Sequence, residues 1–304
     1  MEKSKDIRFK LLDVLYILGI ILPFVFVMVL KILFNSPSEG ISITGALVYF
    51  KIPMPLQDLP ITEAQVNSWA VIISIFFLCL YFTHGLSVKA NLKRQLVAEW
   101  IVEKTQGLVN DNMGDFFKGY APFIAAILGI SAFSSLMTLV GVFPPTSDIN
   151  IVGGWAILTF ALITYYKLKG GVGNYLKGFT EPIFVMTPLN ILGEVATPVS
   201  MAFRHYGNVL SGSVIAVLIA SALQGASKLV LGWLPGFIGE IPFLQIGIPA
   251  VMSVYFDIFS GCMQAYIFAM LTMLNISNNF PQDEYEKRLL KKQAKKQNKK
   301  IKTN

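Results

Sequence analysis

The chain has 304 residues, 54% of them hydrophobic and only 14% charged, where soluble domains carry about 25% charged residues. It lacks the polar coat that a water-soluble fold of this size needs, which excludes an ordinary soluble enzyme. Of the net charge of +7, residues 281–304 supply +6 through nine Lys/Arg against three acids. Beside so apolar a body, this basic tail marks a surface facing anionic lipid rather than a nucleic-acid site.

Taken in chain order, apolar runs of the roughly 20 residues needed to cross a membrane occur at 11–34, 68–88, 120–143 and 151–166. Two longer runs follow at 182–223 and 241–278. These predict an all-α, polytopic integral membrane protein of about six helices, the last two long and tilted. Pro188 and Pro198 are expected to bend the fifth helix, and Pro242 and Pro249 the start of the sixth. The first run follows Lys3, Lys5, Arg8 and Lys10, as a secretory signal would. It exceeds the signal length of about 7 to 15 apolar residues and has no small-x-small cleavage site, so it reads as a retained helix.

Six spans starting inside put both termini in the cytoplasm. With both termini cytoplasmic, inner segments carry four Lys/Arg in 1–10, five in 89–118, three in 167–180 and nine in 281–304. Only Lys31, Lys51 and Lys228 remain outside, with Arg204 inside the membrane. The asymmetry satisfies the positive-inside rule. Residues 35–66, with Pro37, Pro53, Pro55 and Pro60, read as an external loop. In 89–118, Leu96, Trp100, Ile101, Val102 and Leu108 alternate with charge, which predicts an amphipathic helix on the inner surface. From Glu284 to Asn304 a solvated basic tail is expected, with a surface helix as the alternative. Cys79 and Cys262 lie inside apolar runs, and His84 and His205 are the only histidines, so neither a disulfide framework nor a zinc motif is indicated, and no cofactor is expected.

An ionisable side chain inside a span costs several kcal/mol unless paired or hydrated, which makes each one a functional candidate. Arg204 lies mid-span, ten residues after Glu194, about 15 Å along a helix axis, too far for an ion pair. Ser200, Arg204, Asn208 and Ser211 follow helical spacing. Ser253, Asp257, Ser260, Gly261 and Gln264 do the same on the sixth helix, predicting one wet face on each. Helix-helix glue explains small polar residues equally well, but not an arginine that cannot lose its proton. By topology Glu194 lies on the cytoplasmic side of Arg204 and Asp257 on the external side. Two hydrated half-paths separated by a fixed positive barrier would be built this way.

At these residues the sequence resembles subunit a of the F-type ATP synthase. The matching stretches are Pro188-Leu-Asn-Ile-Leu-Gly-Glu194, Pro198-Val-Ser-Met-Ala-Phe-Arg204-His-Tyr-Gly-Asn208, and Phe256-Asp257 through Gln264 to Thr272. Weaker echoes are Ala98–Val102, Pro145–Asn150 and Tyr166–Gly170. The resemblance implies an ion-translocating domain over 67–280, preceded in 1–66 by an extra membrane helix and external loop and followed by the basic tail 281–304. It implies that Arg204 faces a ring of c subunits, that Asp257, with Asn208 and Ser213, serves the external half-channel, and that Glu194 serves the cytoplasmic one. Gln264 would sit opposite the arginine and hydrogen-bond it. His205 replaces the family's usual Leu and reads equally as a packing or a proton residue, while Asp148 reads first as a turn or cap residue. Further implied partners are the peripheral-stalk b subunits, the rest of the synthase and membrane lipid, in a bacterial plasma membrane, with H⁺ or Na⁺ carried and no chemistry performed by the chain alone. A self-contained transporter with Arg204 binding an anionic substrate is the alternative. An intramembrane enzyme lacks any recognised nucleophile, metal or phosphate-loop motif.

Overall fold

Inside a bilayer every backbone N–H and C=O must find its partner within the protein, so long apolar runs fold as helices. The computed structural model describes residues 2–34, 45–55, 57–88, 93–180, 183–231, 247–248, 251–252 and 254–303. Among these, six helical segments are long and apolar enough to cross a membrane: Phe9–Phe34, Glu63–Thr83, Asp115–Val140, Ile149–Lys169, Phe184–Val230 and Val254–Asn278. The all-α polytopic architecture is thus as the sequence indicates.

Helix α1 (Glu2–Phe34) packs along α2 (Glu63–Thr83). Between them, in the segment expected as plain loop, β1 (Val48–Ile52) pairs antiparallel with β2 (Leu59–Thr62). Helix α2 also starts five residues before the apolar run expected at 68. The Thr62 hydroxyl caps it by accepting from the Gln65 amide at 3.4 Å. Its polar first turns are buried and largely paired, with the Asn67 side-chain amide donating to the Phe143 carbonyl at 2.7 Å and the Phe143 amide donating to Glu63 at 3.4 Å, while Asn67 Oδ1 has no partner among the described residues. Hydropathy alone misses a start built from polar residues that pair internally.

Helix α3 (Lys93–Met113) lies against α4 (Ala121–Leu136), as a non-spanning segment. Val109 and Met113 join the core, whereas Leu96, Trp100, Ile101 and Val102 are exposed; they are spread over more than half of the helix circumference rather than gathered on one apolar face, so the expected amphipathic pattern is not realised. Helices α5 (Ile149–Lys169) and α7 (Thr187–Leu231) pair with each other, joined through the short α6 (Val172–Thr180). Helix α7 runs unbroken through Pro198. Its 45 residues span about 68 Å, more than twice a hydrocarbon core of about 30 Å. Pro242, Pro249 and Ser253 lie outside the described residues.

The last crossing begins as a π-helical segment, Val254–Ser260, and continues as α8 (Gly261–Asn278), which packs on α4. Gly261 allows the approach, since a Cβ there would stand 2.7 Å from the Ser135 Cβ. Helix α9 (Gln282–Thr303) follows directly. The basic tail is therefore helical, as in the alternative rather than the first expectation. The main core cluster sits where α3, α4, α5 and α8 converge, around Ile124, Tyr166, Met273 and Phe280.

Candidate functional site: two acid-bearing cavities flanking Arg204

The site is built on α7 and the elements that touch it. At the end of α7 near α9, a cavity of about 560 Å³ is lined from α5 by Lys167, from α6 by Asn174 and Tyr175, from α7 by Asn190 and Glu194, from α8 by Asn275, and by Asn279 just beyond it. Glu194 accepts from Lys167 Nζ and from the Tyr175 hydroxyl, each at 3.1 Å. Burial, and then the neighbouring carboxylate, push the Tyr175 hydroxyl above its ordinary pKa, so it remains a donor. Pro198, four residues on, has no N–H to give to the Glu194 carbonyl, which leaves that oxygen without its usual helical donor.

Further along α7, a narrow cleft of about 10 Å³, room for about one water, brings together Asp257, Ser213, Ser135 and Thr138. The Ser213 hydroxyl donates to the Leu210 carbonyl at 2.8 Å, and Ser135 donates to Ser131 at 3.1 Å. Asp257 lies in the π-helical segment, where i→i+5 bonding widens the turn. Asp257 and Gln264 line no common cavity among those described, so the shared wet face predicted from α-helical spacing is not seen. Asp257 opens onto the cleft, whereas Gln264 is 7% exposed inside the bundle.

Arg204 lies between the two cavities, ten residues beyond Glu194 and nine before Ser213. Its side chain is exposed and makes no hydrogen bond or ion pair among the described residues, Gln264 included. Ser200, Asn208 and Ser211 are exposed on the same helix. The predicted polar stripe on α7 is therefore present, and it points away from the other described residues. Apolar neighbours Val199 and Phe203 are exposed beside it.

His205 turns the other way. It is 1% exposed, with its ring 6.0 Å from that of Trp155 and 5.7 Å from that of Phe268, and its Nε2 3.4 Å from the Ser131 hydroxyl. Asp148 caps α5, accepting from the Asn150 amide at 2.9 Å. Lys167, Tyr175 and Ser135 are the participants that sequence reasoning passed over. Only Lys167 left a signal, inside the Tyr166–Gly170 echo.

A helical bundle of membrane-crossing length, with polar acid-bearing cavities within its spans and an uncovered arginine between them, is an integral membrane protein of the ion-conducting class. The sequence model of the ATP synthase A chain family matches residues 66–277, and the chain belongs to this family. It is similar to ATP synthase subunit a of Macrococcus caseolyticus (strain JCSC5402), at 30% identity over 260 residues, covering 82% of this chain and 98% of the relative. It is also similar to "ATP synthase subunit a, sodium ion specific" of Propionigenium modestum, at 26% identity, covering 80% of this chain and 88% of the relative. A third relative, ATP synthase subunit a of Legionella pneumophila (strain Paris), is 24% identical over 79% of this chain and 95% of its own. Membership makes the chain a component of the ATP synthase, the ion-conducting stator subunit of its membrane sector, and sets aside a self-contained transporter.

Proposed function

We propose that Arg204 is the barrier between two half-channels and faces the membrane carboxylates of a rotating c ring. The observation that carries this is Arg204 itself, an exposed guanidinium without a partner among the described residues, on an apolar surface between two acid-bearing cavities. Left in lipid it would cost several kcal/mol, so it calls for an anionic partner from outside this chain. A guanidinium within about 4–6 Å of a ring carboxylate favours the charged form and so the release of its H⁺ or Na⁺. The emptied, anionic site can pass Arg204, but a cation cannot cross it.

The Asp257–Ser213 cleft, with Asn208 nearby on α7, serves as the external route, and the Glu194 cavity as the cytoplasmic one. Lys/Arg asymmetry supports both termini on the cytoplasmic side of a bacterial plasma membrane. Gln264 and His205 face the bundle interior and shape the α7–α8 packing behind Arg204; Asp148 acts as a helix cap. The peripheral-stalk b subunits hold the chain against the ring. One charge crossing 100 mV yields about 2.3 kcal/mol, so several ions are used per ATP, and a multi-site ring supplies them. The chain performs no chemistry on its own.

Arg204→Ala, in a strain lacking the chromosomal copy, tests the reading. ATP-driven ion pumping in inverted vesicles and ATP synthesis are both expected to vanish while the complex still assembles. Wild-type pumping by the assembled variant would remove Arg204 from this role.

A further inference from the structure

The cavity that holds Glu194 carries a second carboxylate at its rim. Its lining continues past Asn275 of α8 and Asn279 just beyond it to Pro281 and Glu284, in the turn into α9. A lysine-rich helix gives no reason of its own to sit at a polar cavity, yet its first turn is firmly held there. Phe280 is buried in the main core cluster, and Tyr285 packs on the same cluster. Lys169 Nζ stands 4.4 Å from the Tyr166 ring centroid and 5.7 Å from that of Tyr285, a cation-π bridge from α5 to α9. Pro281 lies against Gly170, and the Arg288 guanidinium lies against Gly171, whose φ of +118° suits glycine. The Asn174 side chain donates to Glu284.

We propose that Glu284 is the outer carboxylate of the ion route through this cavity, and that the first turn of α9 forms the mouth of that route. The inference rests on reading the cavity as the cytoplasmic half-channel. The two acids differ in a way that fits two tasks. Glu194 is balanced by Lys167 at 3.1 Å, so the inner end carries a neutral pair. Glu284 is held by a neutral amide and has no cation within ion-pair distance among the described residues. Its charge is left to act on mobile cations, and a carboxylate at the mouth of a low-dielectric cavity concentrates them. Helix α9 thereby contributes a wall of the ion route, outside the 66–277 stretch that matches the family.

The test uses the whole synthase in inverted vesicles, with Cys79 and Cys262 replaced by Ser. Glu284→Gln is expected to lower ATP-driven pumping and ATP synthesis about three- to tenfold at low salt. The deficit should shrink as ionic strength rises from about 10 to 150 mM and the Debye length falls from about 30 to 8 Å. Glu284→Asp should retain most of the rate. In Glu284→Cys, a methanethiosulfonate bearing a sulfonate should restore the rate, and one bearing a trimethylammonium should depress it further. A structural part played through Asn174 alone would depend on neither salt nor reagent sign, and either that result or a wild-type rate in Glu284→Gln overturns the proposal. Arg204→Ala, run in parallel, separates the two readings. If it pumps, the half-channel assignment falls. If it is inactive while Glu284→Gln is normal, only the part given to Glu284 falls.

Discussion

At Glu194 of α7, side chains from two other helices, Lys167 of α5 and Tyr175 of α6, converge on one carboxylate, and the charge of Lys167 is what makes its burial tolerable. Glu194 is 9% exposed at its side chain and Lys167 24%, so removing one partner leaves the other charge poorly compensated. Lys167→Met is therefore expected to destabilise the chain by roughly 1 to 3 kcal/mol, measured as a lower thermal midpoint in detergent. Adding Glu194→Gln should recover most of that loss, because the pair acts as a unit; an additive double variant would show that the two are independent. The same residues show what sequence alone reveals of a site. Arg204, Glu194 and Asp257 stand out because each is a charge inside an apolar run, and two of the three open onto cavities. Lys167 escaped notice because a lysine near the end of a span already has a reason to be there, as topology charge. The burial of Gln264 depends on the packing of α8 in the bundle, and the π-helical segment that carries Asp257 is one that no spacing rule anticipates.

At the scale of elements, α1 lies outside the family match, and its seat on α2 is built from unusually specific contacts. Asp13 Oδ1 meets His84 Nδ1 at 2.9 Å and Arg94 Nη1 at 2.7 Å, tying α1 to the end of α2 and the start of α3. Phe9 stacks on His84 at 4.3 Å and lies 4.9 Å from the Arg94 guanidinium carbon. Further along, Gly19 admits the Phe77 ring, which a Cβ would meet at 2.5 Å, and the Ser74 hydroxyl donates to the Ile20 carbonyl at 3.0 Å. Gly19→Leu is thus expected to lift α1 from α2, seen as loss of cross-linking between cysteines placed at Ile20 and Ser74. Asp13→Ala should instead loosen the other end, raising amide hydrogen exchange in the first half of α1 and around Ser87, with Gly19 contacts intact. Unchanged exchange there would mean that the aromatic stack suffices. Existence and order of the spans were legible because about 20 apolar residues in a row have few alternatives. The β1–β2 hairpin was not, because Pro53 and Pro55 mark a turn without saying that short strands flank it, and Pro60, which lies within β2 opposite Lys51, speaks against a strand. Nor was the order of α9's first turn, which depends on aromatic contacts with residues more than a hundred positions away.

For the whole molecule, two asymmetries point in consistent directions. One runs along the membrane normal: the Lys/Arg-rich segments 1–10, 89–118, 167–180 and 281–304 fall on one side if the spans alternate. This places the Glu194 cavity, bounded by α6 and the start of α9, on the cation-rich side, and the β1–β2 hairpin on the other. The second runs across the bundle. Helix α8 turns its polar residues inward, with Gln264 buried, while α7 turns Ser200, Arg204, Asn208 and Ser211 outward. The Ser211 hydroxyl donates to the Asn208 carbonyl at 3.2 Å, whereas Arg204 has no such partner among the described residues; in the function proposed above, this stripe is the face turned to the ring. Topology is the measurable part. In a background without Cys79 and Cys262, a cysteine replacing Asp58 beside the hairpin should react with a membrane-impermeant maleimide added to intact cells. A cysteine replacing Asp111 in α3 should react only in inverted vesicles. The opposite labelling would exchange the two half-channels: Glu194 and Glu284 would then serve the external side and the Asp257 cleft the cytoplasmic one. Arg204, midway between Glu194 and Ser213 on α7, would keep its proposed place as the barrier under either outcome.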